Sequence, residues 1–218
     1  MVSSDRESSL IIVGAGRQGR NIRDICYILG VRIAGFLDDT KARDEIVDGA
    51  PVLGGFERAG DTELSQQAKW IVGVGDNLIR QQLSSNIQAR GGRLASAIHP
   101  NCAISPSASL GEGIYINAYA RVLANASVAD YALIEGLSTI GTDCVLGEAV
   151  LIAPGCQLTA GCRIGARAFL GAGAVVVGPA SVGADSIIGA GATVIESIPE
   201  GMLATGTPAR IKKPNRPG

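Results

Sequence analysis

From Ile98 to Val194 an aliphatic residue returns at every sixth position without a slip, through Ile104, Leu110, Ile116, Val122, Val128, Ile134, Ile140, Leu146 and onward. Seventeen consecutive hexads share this register. With about a quarter of the chain Ile, Leu or Val, chance agreement at one fixed register is on the order of 10⁻¹⁰. Four places after each lead residue stands a small one, such as Cys102, Ala108, Ala120, Ala126, Cys144, Cys156 or Ala168, with Ile114, Val150 and Ile198 the bulkier exceptions. A period of six matches neither a helix nor a long alternating strand. It fits short strands separated by tight corners, three of which close one coil of a triangular prism with the lead aliphatic inside. Glycine directly after the lead (Gly111, Gly141, Gly147, Gly165, Gly171, Gly183, Gly189) is expected because the backbone must bend there. At eighteen residues per coil the hexads make five to six coils. The unbroken register leaves no room for a large excursion, so a site must be built on the prism's own faces.

The pattern before Ile98 is different. Ser9–Val13 is a short apolar run that enters Gly14-Ala15-Gly16-Arg17-Gln18-Gly19, and Asn21 to Leu29 carries Ile22, Ile25, Cys26 and Leu29 at helical spacing. A second strand is expected over Val31 to Leu37, ending in Asp38-Asp39. A third is expected over Trp70 to Val74, followed by Gly75-Asp76-Asn77 and a helix from Leu78 to Ala89. Alternating strands and helices imply a parallel sheet that binds ligands at the C-terminal ends of its strands. The fold predicted is α/β plus β: a small Rossmann-like domain over residues 1–97, a left-handed parallel β-helix over 98–199, and a C-terminal tail over 200–218. Glycines at 14, 16 and 19, placed between a strand and a helix with acids about twenty residues on, match a phosphate-binding turn. Some 97 residues hold little more than one mononucleotide half. A mononucleotide-type ligand such as a nucleotide sugar therefore fits better than a dinucleotide.

Composition narrows the chemistry. Hydrophobic residues make up 46% of the 218, yet only 4% are aromatic, as a narrow prism filled with Ile, Leu, Val, Ala and Cys requires. A formal charge of −1 gives no footprint for nucleic acid or anionic membrane. No apolar run reaches 18 residues and the first nine residues are unlike a signal peptide, so neither a membrane span nor a secretory route is expected, and the predicted location is cytoplasmic. Four of the five cysteines occupy the small corner position and read as reduced, structural thiols. A single histidine, His99, leaves no basis for a histidine-rich metal site, and no metal is expected.

Several stretches carry a resemblance: Val13-Gly14-Ala15-Gly16-Arg17-Gln18-Gly19, Phe36-Leu37-Asp38-Asp39, Gly73-Val74-Gly75-Asp76-Asn77, Ile98-His99-Pro100, Phe169-Leu170-Gly171 and Gly206-Thr207-Pro208-Ala209-Arg210. In these the chain resembles, over nearly its whole length, the hexapeptide-repeat sugar acetyltransferases of the sialic-acid O-acetyltransferase (NeuD-type) and bacillosamine N-acetyltransferase (PglD-type) family. The resemblance implies a homotrimer that binds a nucleotide sugar in the N-terminal domain and acetyl-CoA along the β-helix. By position, the sugar nucleotide would meet Gly14, Gly16, Arg17, Gln18, Asp38, Asp39 and Gly75. Acetyl-CoA would meet backbone near Ala172 and Ala190. Charge adds Arg210, Lys212 and Lys213 as partners for its phosphates.

The departures matter as much. The resemblance places a general-base histidine where this chain has Thr142, and a second histidine at the thioester where it has Leu151; the family's histidine after the glycine turn is Gln18. A threonine cannot replace an imidazole whose pKa lies near operating pH. His99 lies about seven hexads before Thr142, more than two coils away. Asp143, Glu148 and Glu135 lie in the right coils to act as substitute bases. Two readings follow: an acetyl-CoA-dependent transferase acting on the amine or hydroxyl of a nucleotide-linked sugar, with Asp143, Glu148 or water taking the proton; or a non-catalytic trimeric β-helix protein that binds nucleotide sugar or CoA as scaffold or sensor.

Overall fold

A computed structural model describes residues 9–215. The chain divides into two compact units, one running to His99 and including Glu112–Ile114, the other comprising Pro100–Gly111 and Tyr115 onward.

The first unit is an α/β sheet with β1 (Ser9–Val13), α1 (Arg17–Ile28), β2 (Ile33–Leu37), β3 (Ile46–Val47), β4 (Ala50–Gly54), α2 (Thr62–Gln67), β5 (Ala68–Val72) and α3 (Asn77–Ala89). The strand order is β3-β4-β2-β1-β5, with β4, β2, β1 and β5 parallel and β3 antiparallel to β4. Strands buried on both faces must be apolar throughout, which is why Leu10–Val13 and Trp70–Val72 read as unbroken apolar runs. The core gathers Ile11, Val13, Leu37, Trp70, Val72 and Ile87, and the indole N–H of Trp70 donates to the Ser65 hydroxyl at 3.0 Å. Strand β1 lies between β2 and β5, so its C-terminal end is the switch point where such sheets bind ligands. The second and third strands are shifted from their expected bounds to Ile33–Leu37 and Ala68–Val72. The hairpin β3–β4 and helix α2 were not expected at all.

The second unit is the left-handed parallel β-helix. Two-residue strands recur every six residues and pair in parallel with the strand eighteen residues on, as Arg121↔Thr139 and Leu151↔Phe169 show. Three sheets form three faces. The first contains Thr139–Ile140 and Gln157–Leu158, the second Val145–Leu146 and Arg163–Ile164, and the third Leu133–Ile134, Leu151–Ile152 and Phe169–Leu170. Lead residues such as Ile134, Ile140, Ile152 and Val176 fill the interior. After Val194 the register shortens: Ile187 pairs with Leu203, sixteen residues on. The strand Met202–Thr205 then turns back into an antiparallel edge strand, Arg210–Pro214. This last pair belongs to the third face, and its lysines and proline suit an exposed edge.

One expectation is corrected. The glycine after the lead aliphatic is not the residue that bends. Left-handed backbone falls two places later, at Tyr119, Asn125, Leu137, Asp143, Arg167 and Asp185 as well as at Gly155, Gly173 and Gly191. Glycine follows the lead because the next coil leaves no room: a Cβ on Gly147 would stand 2.6 Å from the Ala166 amide nitrogen. The corner thiols are reduced, and three are fully buried. Each also donates to a backbone carbonyl, as Cys144 to Thr159 at 3.0 Å and Cys156 to Gly171 at 3.2 Å, so they are more than small apolar fillers.

Candidate functional site

The predicted site residues fall into two groups, one in each unit. In the first, the motif glycines divide by cause. Gly14 has φ +103°, and a Cβ there would stand 2.8 Å from the Gly73 carbonyl; a Cβ on Gly19 would collide with the Gly14 carbonyl. The protein's own packing demands both. Gly16 and Gly75, at the C-terminal ends of β1 and β5, have nothing within 4 Å of a Cβ and are exposed. Their small size leaves space above the switch point instead of relieving a contact inside the fold. Gly16 is also the N-cap of α1, which has neither a capping side chain nor an acid in its first turn, whereas Asp61 and Asp76 cap α2 and α3. The positive end of α1 is thus open to an anion. Arg17 in that turn is exposed, and the side-chain nitrogen Nε2 of Gln18 is buried without a partner among the described residues.

The two acids after β2 act mainly inward. Asp38 is buried and accepts from the Ala15 amide at 2.8 Å and from the Thr40 amide and hydroxyl at 2.9 and 2.6 Å, tying the glycine turn to β2. Burial pushes its carboxyl upward, but the bonds from Thr40 and Ala15 and the charge of Lys41 outweigh that and hold it below its ordinary 3.8. Asp39 is exposed and accepts from the Phe56 amide at 2.6 Å. Across the switch point, Arg80 is fully buried. Its guanidinium donates to the Val74 carbonyl at 3.0 Å and to the Asn77 side chain at 2.8 Å, so a buried cation shapes the Gly75 turn. Desolvation pulls that guanidinium down to about 9. A lone arginine inside a polar helical stretch gave no signal of this in the sequence.

In the β-helix the predicted residues separate by corner. Thr142 and Asp143 sit together between the first and second faces, where the Asp143 carboxylate accepts from the Asn125 side chain at 3.1 Å. Glu148 sits at the next corner, between the second and third faces, and Leu151 points outward from the third face. Thr142 and Leu151 therefore do not meet within the chain, nor do Asp143 and Glu148. His99 belongs to the first unit.

Ala172 and Ala190 do come together. They stand one coil apart on the corner between the third and first faces, both exposed, and the Gly191 amide donates to the Ala172 carbonyl at 2.8 Å. That corner is bare over three coils: Pro154-Gly155, Ala172-Gly173 and Ala190-Gly191 carry no long side chain. At its foot the Thr207 hydroxyl donates to the Gly191 carbonyl at 3.2 Å, and the chain leaves this turn into the exposed edge strand with Arg210, Lys212 and Lys213. A smooth track of exposed backbone thus leads to a cluster of cations, an arrangement that fits an extended chain ending in phosphates. At the head of the same corner stand Tyr119 and Leu137, exposed and in left-handed backbone. Beside them Glu135 accepts from the Asn117 side chain at 3.0 Å and from the Tyr115 hydroxyl at 3.4 Å.

Comparison with known proteins finds family matches within both units. The family described as the PglD N-terminal domain matches residues 9–87, and the bacterial transferase hexapeptide family matches residues 161–196. Among solved structures, a histidine-to-asparagine mutant of perosamine N-acetyltransferase from Caulobacter crescentus, in complex with CoA and GDP-perosamine, superimposes with a TM-score of 0.90. It is 34% identical, over 94% of this chain and 97% of that one. The acetyltransferase domain of PglB from Neisseria gonorrhoeae, in complex with acetyl coenzyme A, gives 0.89 at 33% identity, over 94% of this chain and all of that one (100%). A curated relative, the uncharacterized protein L142 of Acanthamoeba polyphaga mimivirus, is 27% identical over 125 residues, and the match spans about a quarter (24%) of its length.

Proposed function

The chain belongs to the PglD-type family of hexapeptide-repeat sugar acetyltransferases, and from that premise we propose that it transfers an acetyl group from acetyl-CoA to the amine of a nucleotide-linked amino sugar. One observation carries the reading: the bare corner of Gly155, Gly173 and Gly191, with Ala172 and Ala190 exposed on it, leads to the cations of the last strand. The pantetheine arm lies along that backbone and the phosphates pair with Arg210 and Lys212. Acetyl-CoA supplies the acetyl group as an activated thioester. The first unit holds the acceptor, its diphosphate on the open N-terminus of α1 with Gly16 and Gly75 giving room and Arg17 and Gln18 offering donors. Asp38 and Arg80 shape the two turns from beneath. Asp39, half-engaged by Phe56, remains exposed toward the nucleoside. Catalysis in this scheme rests on holding amine and thioester in line. The working form is a homotrimer, by analogy with the family.

The absence of histidine at Thr142 and Leu151 favours one rival, a scaffold that binds both ligands without turnover. Mixing the protein with acetyl-CoA and a panel of UDP-, GDP- and dTDP-amino sugars, and following free thiol, separates them. Turnover above background with at least one acceptor is expected. Calorimetric binding of both ligands with no thiol release from any acceptor would establish the scaffold reading instead.

A further inference from the structure

With both family histidines replaced, the question is which group in this chain takes the proton. Resting on the acetyltransferase reading, we infer that Glu135 is the proton acceptor, positioned by Asn117 and Tyr115 at the head of the acyl-donor track.

Four observations converge on Glu135. It follows the strand Leu133–Ile134 on the third face, whose Leu133 pairs directly with Leu151. By strand alternation Glu135 and Leu133 leave the same side of the sheet. The Glu135 and Leu151 backbones are thus about 8 Å apart, and a carboxylate stands beside the position that the resemblance assigns to the thioester end. Secondly, Glu135 opens the same corner that carries Ala172 and Ala190. From Ala190 to Gly136 is three coils, about 14 Å at the spacing of paired strands. A pantetheine arm anchored by its phosphates at Arg210 and Lys212 covers that span and brings its sulfur to this end.

Thirdly, the carboxylate is held asymmetrically. Both donors, Asn117 Nδ2 and the Tyr115 hydroxyl, go to Oε2, which leaves Oε1 to receive a proton. The two donors sit on the preceding coil. Tyr115 is completely buried, and the Asn117 side chain is itself fixed by accepting from the Ala118 amide at 2.7 Å. The base is therefore set on rigid elements, as a catalytic group needs to be. Fourthly, the rivals stand elsewhere: Asp143 is exposed at another corner, where it accepts from the Asn125 side chain, and Glu148 is exposed at a third.

The step balances. As the acceptor nitrogen bonds to the thioester carbonyl carbon and the carbon–sulfur bond breaks, Glu135 Oε1 takes the proton shed by the nitrogen. It then yields that proton to the departing thiolate, leaving amide and free thiol with no other reactant needed.

The test uses the full chain with acetyl-CoA and the acceptor that turns over fastest in the panel. Glu135→Gln retains an oxygen for Asn117 and Tyr115 and is expected to fold, with unchanged melting temperature and unchanged calorimetric affinity for CoA. Its kcat should fall about 10²-fold or more, KM staying within about threefold, and the acid limb of the kcat profile should disappear. Asn117→Ala, which frees the carboxylate without removing it, should lower kcat about tenfold and keep that limb. Asp143→Asn should change kcat less than threefold. If Glu135→Gln turns over within threefold of wild type on the same pH profile, the assignment to Glu135 is wrong while the transferase reading stands. If wild type binds both ligands and releases no thiol, both fall together.

Discussion

The two units solve the same problem, holding backbone in tight turns, by opposite means. In the α/β unit three turns are kept by polar side chains from elsewhere in the chain: Asp38 on the Ala15 amide, Asp39 on the Phe56 amide and Arg80, from the next helix, on the Val74 carbonyl. In the β-helix a turn is kept by its neighbour one coil away, amide to carbonyl, as Gly155 to Gly136 and Gly173 to Pro154. Side-chain clamps are specific and individually fragile. A repeated backbone ladder shares its stability among equivalent coils, so its exposed side chains are free for function. That freedom is why the β-helix tolerates tyrosine, leucine or aspartate in left-handed corners, each at about 1–2 kcal/mol.

The contrast can be broken most forcefully where the ladder has no slack. Gly147→Ala forces a Cβ against the Ala166 backbone and should destabilise the second unit by about 3 kcal/mol, seen as a lowered denaturation midpoint. Gly173→Ala, with open space around it and only φ +68° to strain it, should lose about 1 kcal/mol in the same assay. Equal losses at the two positions would show that backbone bending, not room between coils, sets the glycine requirement.

Removing a clamp comes next. Asp38→Ala leaves the Ala15 amide without its acceptor and should cost the first unit about 2–3 kcal/mol. Because the folded carboxyl titrates below its unfolded value, its stabilisation is complete above about pH 4 and is lost as pH falls through the lower folded value. Wild type and variant should therefore converge in melting temperature as pH drops below about 4. A gap that persists there would mean that the charge of Asp38 does not hold the turn.

The functional contrast is sharpened by Thr142→His combined with Leu151→His. If the β-helix is an intact acetyltransferase scaffold, kcat should rise about 10²-fold, with nucleotide-sugar affinity unchanged by calorimetry. A smaller effect is expected from Arg210→Glu with Lys212→Glu: KM for acetyl-CoA about tenfold higher and falling, where the wild type's rises, with added salt, KM for the acceptor unmoved. An acceptor KM that moved with it would place the basic strand in the wrong half of the reaction.

Legibility followed the same divide. The hexad register predicted the interior lead residues from Ile116 to Val194 and every two-residue strand of the β-helix, with Ile98, Ile104 and Leu110 half-buried in its first coil, because a repeat states each positional rule many times. Between Thr40 and Gln67 no rule repeats, and the hairpin β3–β4 went unseen although Asp48-Gly49 between apolar neighbours is a known two-residue turn signal. Within the site, the sequence pointed to Ala172 and Ala190, which do share a corner, and to Arg210, which lies on the edge strand that follows it. It also pointed to Asp143 and Glu148 as alternatives without showing that they face different corners. The Asn117 and Tyr115 support of Glu135 depends on stacking residues eighteen and twenty positions apart, and their identities alone do not mark them.

By itself the sequence determined that this chain forms a coiled prism with an α/β unit before it, since periodic burial of aliphatics admits few other solutions. It also determined that no histidine occupies Thr142 or Leu151. Only the tertiary structure decided which motif glycines serve the fold and which leave room, which acids look inward, and which carboxylate is held rigid at the end of the bare corner. Those outcomes depend on distances between residues that no local pattern relates, and a side chain's chemistry follows from the partners those distances supply.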